Sequence, residues 1–368
     1  MDKNSPILFS RRGALALVTL NLPRALNALN LDMIKLLDRQ LQDWAEDDSV
    51  ACVWVEGSGD KGLCAGGDVV SLYKGSNAYG EAPRIDYASE FFSHEYRLDY
   101  RIHTYAKPIV VWGGGIVMGG GVGIMAGASH RIVTERTRMA MPEVTIGLFP
   151  DVGGSWFLNR MPGRIGLFLG LTGAQFNGAD ALFAGLADRL IADSERHTTL
   201  DAIAQLPFCA TTDENRRLVS ECLKGLELAA ELQPLSNLRN HYEQIQALTD
   251  FASLPAVCDA IGGYKGDDEW LRRAAQTLAA GSPLTPWIVW EQLRRGRHRS
   301  LAEVLRMELI LAVNLCASGH FHEGVRALLI DKDRSPRWQP ASFREISAEE
   351  VERCFVAPWA GAHPLADL

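Results

Sequence analysis

Residues Ile109 to Ala128 form a run of twenty without a single charge, and eight of the twenty are glycine. An uncharged stretch of that length has to be buried, in protein or in lipid. The triple glycines at 113–115 and 119–121 weaken a lone helix, and no basic flanking pattern orients one across a membrane. The run therefore reads as a buried strand over Lys107–Trp112, a glycine turn, and a helix beginning near Gly120. Such a start leaves backbone N–H groups unpaired at the positive end of the helix dipole. Gly121 to Ala126 also fits G-x-G-x-x-A, with Glu143 at about the distance of a ribose-binding acid. That fingerprint needs a second strand ending at the acid, and Pro142 directly before Glu143 disrupts any strand interior.

The glycines continue to Gly154, eleven in all from Gly113, and frame Met141-Pro142-Glu143 and Phe149-Pro150-Asp151. Lacking a Cβ, glycine reaches positive φ and leaves its N–H uncovered, so a ligand can approach the backbone closely. Two carboxylates beside such N–H groups suit chemistry in which an oxyanion develops while an acid, base or nucleophile acts next to it. For Asp151 the spacing equally predicts a plain N-cap, because a helix is expected through Trp156 and Phe157.

At 368 residues the chain is long enough for one large domain with an appended part, or for two domains. Its 47% hydrophobic residues and net charge of -8 leave no basic excess for nucleic acid, and no nucleic-acid or membrane partner is expected. Seven cysteines lie scattered without a C-x-x-C pair. They fit free thiols in a reducing compartment, and the cytoplasm is the expected location. The first thirteen residues contain no apolar export segment. His94 and His103 lack a third ligand, so no metal site is expected.

Ala14–Asn21 reads as a strand, and Asn30 as the cap of a helix over 31–47 with Met33, Leu36, Leu37, Leu41 and Trp44 on one face. Val50–Glu56 reads as a second buried strand. The order strand, helix, strand implies a parallel α/β sheet. From His197 the texture changes to amphipathic helical stretches over 213–231, 235–248 and 270–280, separated by prolines. The expected division is a core over 1–195 and a helical subdomain with a C-terminal segment over 196–368.

Asn27-Ala-Leu29, Cys64-Ala-Gly-Gly-Asp68, Met118-Gly-Gly-Gly-Val-Gly123, Ala140-Met-Pro-Glu143 and Ile146 through Gly154 resemble the crotonase superfamily of enoyl-CoA hydratases and isomerases. With Phe321 to Trp338 the likeness covers nearly the whole chain and is greatest to the branch that hydrolyses 3-hydroxyisobutyryl-CoA. The resemblance implies an α/β fold, a crotonase-like spiral of ββα repeats with a largely helical C-terminal region. It implies an acyl-CoA substrate and no separate cofactor. The thioester carbonyl would lie between the N–H groups of Gly67 and Gly120, with Glu143 as nucleophile or general base and Asp151 orienting a substrate hydroxyl or the attacking water. Glu95, Ala65, Gly66 and Asp68 would line the substrate. Arg24 would meet CoA phosphates, and Lys332 and Arg334 the nucleotide end.

The departures matter as much. A hydratase of this superfamily carries a second glutamate three residues beyond the oxyanion glycine, where this chain has Gly123, and a glycine where it has Asp151. The pattern implies hydrolysis of an acyl-CoA thioester to free acid and CoA. Two other readings stand beside it: an enoyl-CoA hydratase or isomerase working with Glu143 alone, and a CoA- or RNA-binding protein on the same fold without turnover. A solvated or ion-paired Glu95, a solvated Arg24 and plain solvation of Lys332 and Arg334 are the bland alternatives. Homo-oligomerisation stays open.

Overall fold

After an opening hairpin, strands in this protein come in successive pairs whose two members enter different sheets. The computed structural model describes residues 5–76 and 85–368. β1 (Ile7–Arg12) and β2 (Leu15–Leu20) form an antiparallel hairpin. After them β3 (Cys52–Gly57) is followed by β4 (Gly62–Cys64), β5 (Ile109–Gly113) by β6 (Ile116–Met118), and β7 (His130–Val133) by β8 (Arg138–Ala140). Short strands β9 (Phe176–Asn177) and β10 (Arg189–Leu190) come last.

One sheet has the order β1-β2-β3-β5-β7-β10 and the other β4-β6-β8-β9. In the first, β3 runs parallel to β2 and β5, with Val53 opposite both Ala16 and Ile109. A central parallel strand is covered on both faces, which is why Cys52 to Val55 are apolar throughout and all buried. In the second, β4 runs parallel to β6. Their closeness depends on Gly62, at φ 158°, where a Cβ would lie 2.2 Å from the Ile116 nitrogen. Strand, strand, helix recurs along the chain, which is the ββα spiral expected of the crotonase fold.

By packing, the chain forms two compact units. The first gathers Met1–Gly67, Leu98–Met139 and Phe176–Asn240, and the second Asp68–Arg97, Ala140–Gln175 and His241–Leu368. This grouping interleaves three segments in each unit, whereas the division near 195 follows the change of texture along the sequence. In the first unit Leu15, Trp54, Val110, Trp112 and Ile132 cover one sheet face and pack on Leu200, Ile203, Val219 and Leu223 of the helices Arg196–Ala204 and Thr212–Lys224. Burial of such large side chains contributes about 1.5–3 kcal/mol each. The second unit is mainly helical, with Ile165–Thr172, Thr285–Gly296 and Leu301–Cys316 among its longer elements.

Asn30 caps the helix Leu31–Glu46 through the Met33 N–H, as its position predicts. The helices expected over 213–231 and 235–248 are shorter and broken. The first ends at Lys224, and the second becomes Asn237–Asn240 and Tyr242–Thr249. Asp180 sets the start at 237, accepting from Ser236 Oγ at 2.7 Å and from the Leu238 N–H at 2.8 Å. Among the described residues no helix is long and apolar enough to cross a membrane.

Candidate active site

The parallel neighbours β4 and β6 end side by side and release two glycine loops in the first unit. The loop after β4 is tied back to the preceding turn, Ala65 N–H donating to Leu26 O at 3.0 Å and Leu29 N–H to Gly66 O at 2.8 Å. The loop after β6 turns at Gly119, whose φ of 49° favours glycine, and enters the helix Gly120–Gly127 with no side-chain cap. Val122 and Gly123 donate to Gly119 O. Neither the Gly67 nor the Gly120 N–H donates to a backbone carbonyl among the described residues. The loops touch: a Cβ on Gly66 would lie 3.9 Å from the Gly120 nitrogen, and one on Gly121 would lie 2.5 Å from Cys64 O. The result is a pair of uncovered donors on closely packed loops, one of them at a helix N-terminus. The G-x-G-x-x-A residues lie inside this helix, and Glu143 opens a 3-10 turn, so the dinucleotide fingerprint is not formed.

The second unit holds the acids. Glu143, Glu95 and Asp151 are only 6%, 3% and 7% exposed. Asp151 does not cap the following helix. Gly153, at φ 88°, is the N-cap of Gly154–Phe157. The N–H groups of Gly153 and Ser155 donate at 2.8 and 2.7 Å to the carboxylate of Glu308, on the helix Leu301–Cys316. Relieved of capping, the Asp151 carboxylate accepts from Tyr96 Oη at 2.7 Å. Val152 is held at φ 50°, a left-handed conformation that costs a β-branched residue about 1–3 kcal/mol. Gln292 Nε2 donating to Pro150 O at 2.8 Å, Thr285 Oγ1 donating to Leu148 O at 2.7 Å and the Glu308 bonds together enforce it.

Burial drives Glu143 and Glu95 well above the usual carboxylate range, and the Asp151 charge adds to both shifts. Asp151 is raised to about 6 by burial, held back by the Tyr96 hydroxyl and its own N–H. Glu308 is pushed up to about 8 by burial, against the pull of its N–H donors. Of Glu143, Glu95 and Asp151, only Asp151 has a side-chain donor favouring its ionised form. Glu143 Oε2 and Glu95 Oε1 are buried without a hydrogen-bond partner among the described residues. A buried acceptor left unmade costs about 1–3 kcal/mol, an arrangement a ligand would relieve.

The solvated reading of Glu95 is overturned by its burial, while Arg24 lies exposed in the turn Pro23–Ala25. Asp68 has both oxygens engaged by Ser71, through its N–H at 3.1 Å and its hydroxyl at 2.6 Å. Ala65 is half-buried and Gly66 buried in the first glycine loop. Lys332 and Arg334 are exposed at φ 58° and 54°. No group of three or more metal-ligating side chains occurs among the described residues. Tyr96 and Glu308 were not found by sequence reasoning. Glu308 had a signal, since it stands on the buried stripe of Val304, Leu305, Leu311, Ala312 and Leu315, where an unpaired acid is out of place. The Tyr96 hydroxyl had none.

Residues 15–355 match the sequence pattern of the family described as enoyl-CoA hydratase/isomerase. The chain belongs to that family. Among relatives of this chain, "3-hydroxyisobutyryl-CoA hydrolase, mitochondrial" of Danio rerio is 37% identical, covering 95% of this chain and 89% of the relative. The human protein of the same name is 34% identical, with 96% and 89% covered. Among solved structures, a carnitinyl-CoA dehydratase from Mycobacterium thermoresistibile aligns with a TM-score of 0.85 at 35% identity, covering 96% of this chain and 97% of that one. An enoyl-CoA hydratase from Rhodobacter sphaeroides gives 0.84 at 33% identity, covering 96% and 98%.

Proposed function

We propose that this enzyme hydrolyses an acyl-CoA thioester, with 3-hydroxyisobutyryl-CoA as the preferred substrate, to free acid and CoA. The observation that carries this is the buried pair Glu143 and Asp151 in a chain without an acid at position 123, together with relatives of nearly full coverage named for that hydrolysis.

In this reading the N–H groups of Gly67 and Gly120 receive the thioester oxygen, and each such donor is worth about 3–4 kcal/mol of barrier on mutagenesis precedent. The upward shift of Glu143 favours general base over nucleophile, because a more basic carboxylate takes a proton from water more readily. Ionised Glu143 removes that proton as the water oxygen bonds to the carbonyl carbon. The tetrahedral oxyanion collapses, the carbon–sulfur bond breaks, and the departing CoA sulfur takes the proton back from Glu143. Asp151 accepts a hydrogen bond from the 3-hydroxyl of the substrate. Beyond the CoA carried by the substrate the reaction needs no cofactor.

A second reading, hydration or dehydration of an enoyl-CoA, is favoured by the names of the two solved structures. Gly123 counts against it, since addition of water across a double bond is shared between two carboxylates in the hydratases this chain resembles. Incubating the enzyme with 3-hydroxyisobutyryl-CoA and crotonyl-CoA decides between them. Hydrolysis releases free thiol from the first, whereas hydration removes the conjugated absorbance of the second without thiol.

We also propose a cytoplasmic location, supported by seven cysteines of which none is in a disulfide. The relatives named mitochondrial support the other compartment, and fractionation of the source cell separates the two.

A further inference from the structure

We propose that Tyr96 is a positioning residue for substrate selection, fixing Asp151 as an acceptor whose remaining lone pairs are reserved for an acyl hydroxyl. The inference rests on the reading of Asp151 given above and extends it to a residue outside the glutamate and aspartate pattern. Tyr96 is fully buried, with Phe92 packed against its ring at 5.5 Å, so its hydroxyl has a fixed direction. That hydroxyl meets Asp151 Oδ2 at 2.7 Å. No other side chain among the described residues donates to Asp151, and its own N–H supplies the remaining support.

An aspartate held on Oδ2 by a fixed hydroxyl cannot rotate freely to present either edge, so the direction of its remaining lone pairs is set before substrate arrives. A hydroxyl on the acyl chain can donate to them. A chain without one forgoes that bond. The Tyr96 bond also favours the charged form of Asp151. The groups bearing on Asp151 are Tyr96 and Glu95 from the helix Asp86–His103, Glu143 from its 3-10 turn, and Glu308 and Cys316 from the helix Leu301–Cys316. Among these side chains only the Tyr96 hydroxyl favours the ionised form of Asp151. Tyr96 thus couples acceptance of the hydroxyl to the proton balance of Glu143.

The test is thiol release from 3-hydroxyisobutyryl-CoA and isobutyryl-CoA by the native enzyme, Tyr96→Phe and Asp151→Asn, each across pH. The phenylalanine keeps the ring and removes only the donor. It is expected to narrow the native preference for the hydroxylated thioester by about five-fold or more, the effect of a hydrogen bond to a charged acceptor. It also moves the acid limb of the profile, set by Glu143, to lower pH, because Asp151 loses the donor that favours its charge, and that charge is one cause of the raised Glu143. Substituting 3-fluorotyrosine, a stronger donor of the same shape, moves the limb the opposite way and serves as the measurement if Tyr96→Phe folds poorly.

A preference and an acid limb unchanged in both variants overturn the proposal, as does an equal loss on both thioesters, which a merely structural role would give. If Asp151→Asn abolishes the preference while Tyr96→Phe leaves it whole, only the role of Tyr96 falls. If Asp151→Asn leaves it whole, or the native enzyme shows none, the reading of Asp151 falls with it.

Discussion

Gly121→Ala tests whether the two uncovered N–H groups act on substrate. A Cβ at this position would lie 2.5 Å from Cys64 O and 2.9 Å from Cys64 Cβ, against an ordinary contact of 3.4 Å or more. The loop after β4 and the helix Gly120–Gly127 must then part by about 0.9 Å. The nearer atom is backbone, so no side chain can swing aside to absorb the clash. A misplacement of about 1 Å costs on the order of a hundred-fold in rate, and losing one oxyanion donor about 10²–10³-fold. We expect kcat for thiol release to fall about 100-fold with KM changed only a few-fold, the signature of an interaction made in the transition state. The strain itself should cost about 1–3 kcal/mol, visible as a lowered Tm. Gly262→Ala is the control, since its Cβ meets nothing within 4 Å. A Gly121→Ala enzyme with the expected loss of Tm and more than a tenth of native kcat would refute the reasoning, because the loops would have moved without harm to the chemistry.

Glu143→Gln should abolish thiol release while leaving CoA affinity by calorimetry within a few-fold; a tenth of native turnover would remove it from the proton transfers. Asp151→Asn should move the acid limb of kcat/KM to lower pH, since the Asp151 charge is one cause of the raised Glu143. Glu308→Gln offers one accepting oxygen to the two N–H groups instead of two, which should cost about 1–3 kcal/mol in denaturant titrations. Glu308 is raised from 4.5 to about 8, so the stability it lends as a neutral acid is complete below pH 4.5 and lost as pH rises toward 8. Glu308→Gln should therefore flatten the decline of Tm across that window.

Local signals in the chain were read correctly where the physics is local. Asn30 caps its helix, and the glycine turn before Gly120 leads into one, because capping and turn formation involve residues a few positions apart. The ββα spiral and the family followed from motifs rather than periodicity. The alternative reading of Asp151 as an N-cap rests on the same local logic and fails. Its capping role is filled by Glu308, which arrives from over 150 residues away, and no rule of nearest neighbours reports that. Tyr96 reaches Asp151 across 55 residues and is hidden for the same reason. The helix expected over 235–248 failed because Asp180, distant in sequence, fixes where a turn begins. What stayed illegible is the set of polar partners that long-range packing supplies.

Four of the eight residues of Gly120–Gly127 are glycine. Each forfeits about 0.8–1 kcal/mol of helical preference relative to alanine. As a free peptide this segment would have almost no helical order, and in the unfolded chain it has nothing to nucleate on. It becomes a helix only once Cys64 and its strand provide a wall to lie against. The element offering the helix-borne donor is thus a late passenger of folding, and its amides should open to solvent at lower free energy than those of β3 or β5. A thioester bound there would tighten a helix of low intrinsic stability, so substrate should protect this protein from proteolysis beyond the residues it touches.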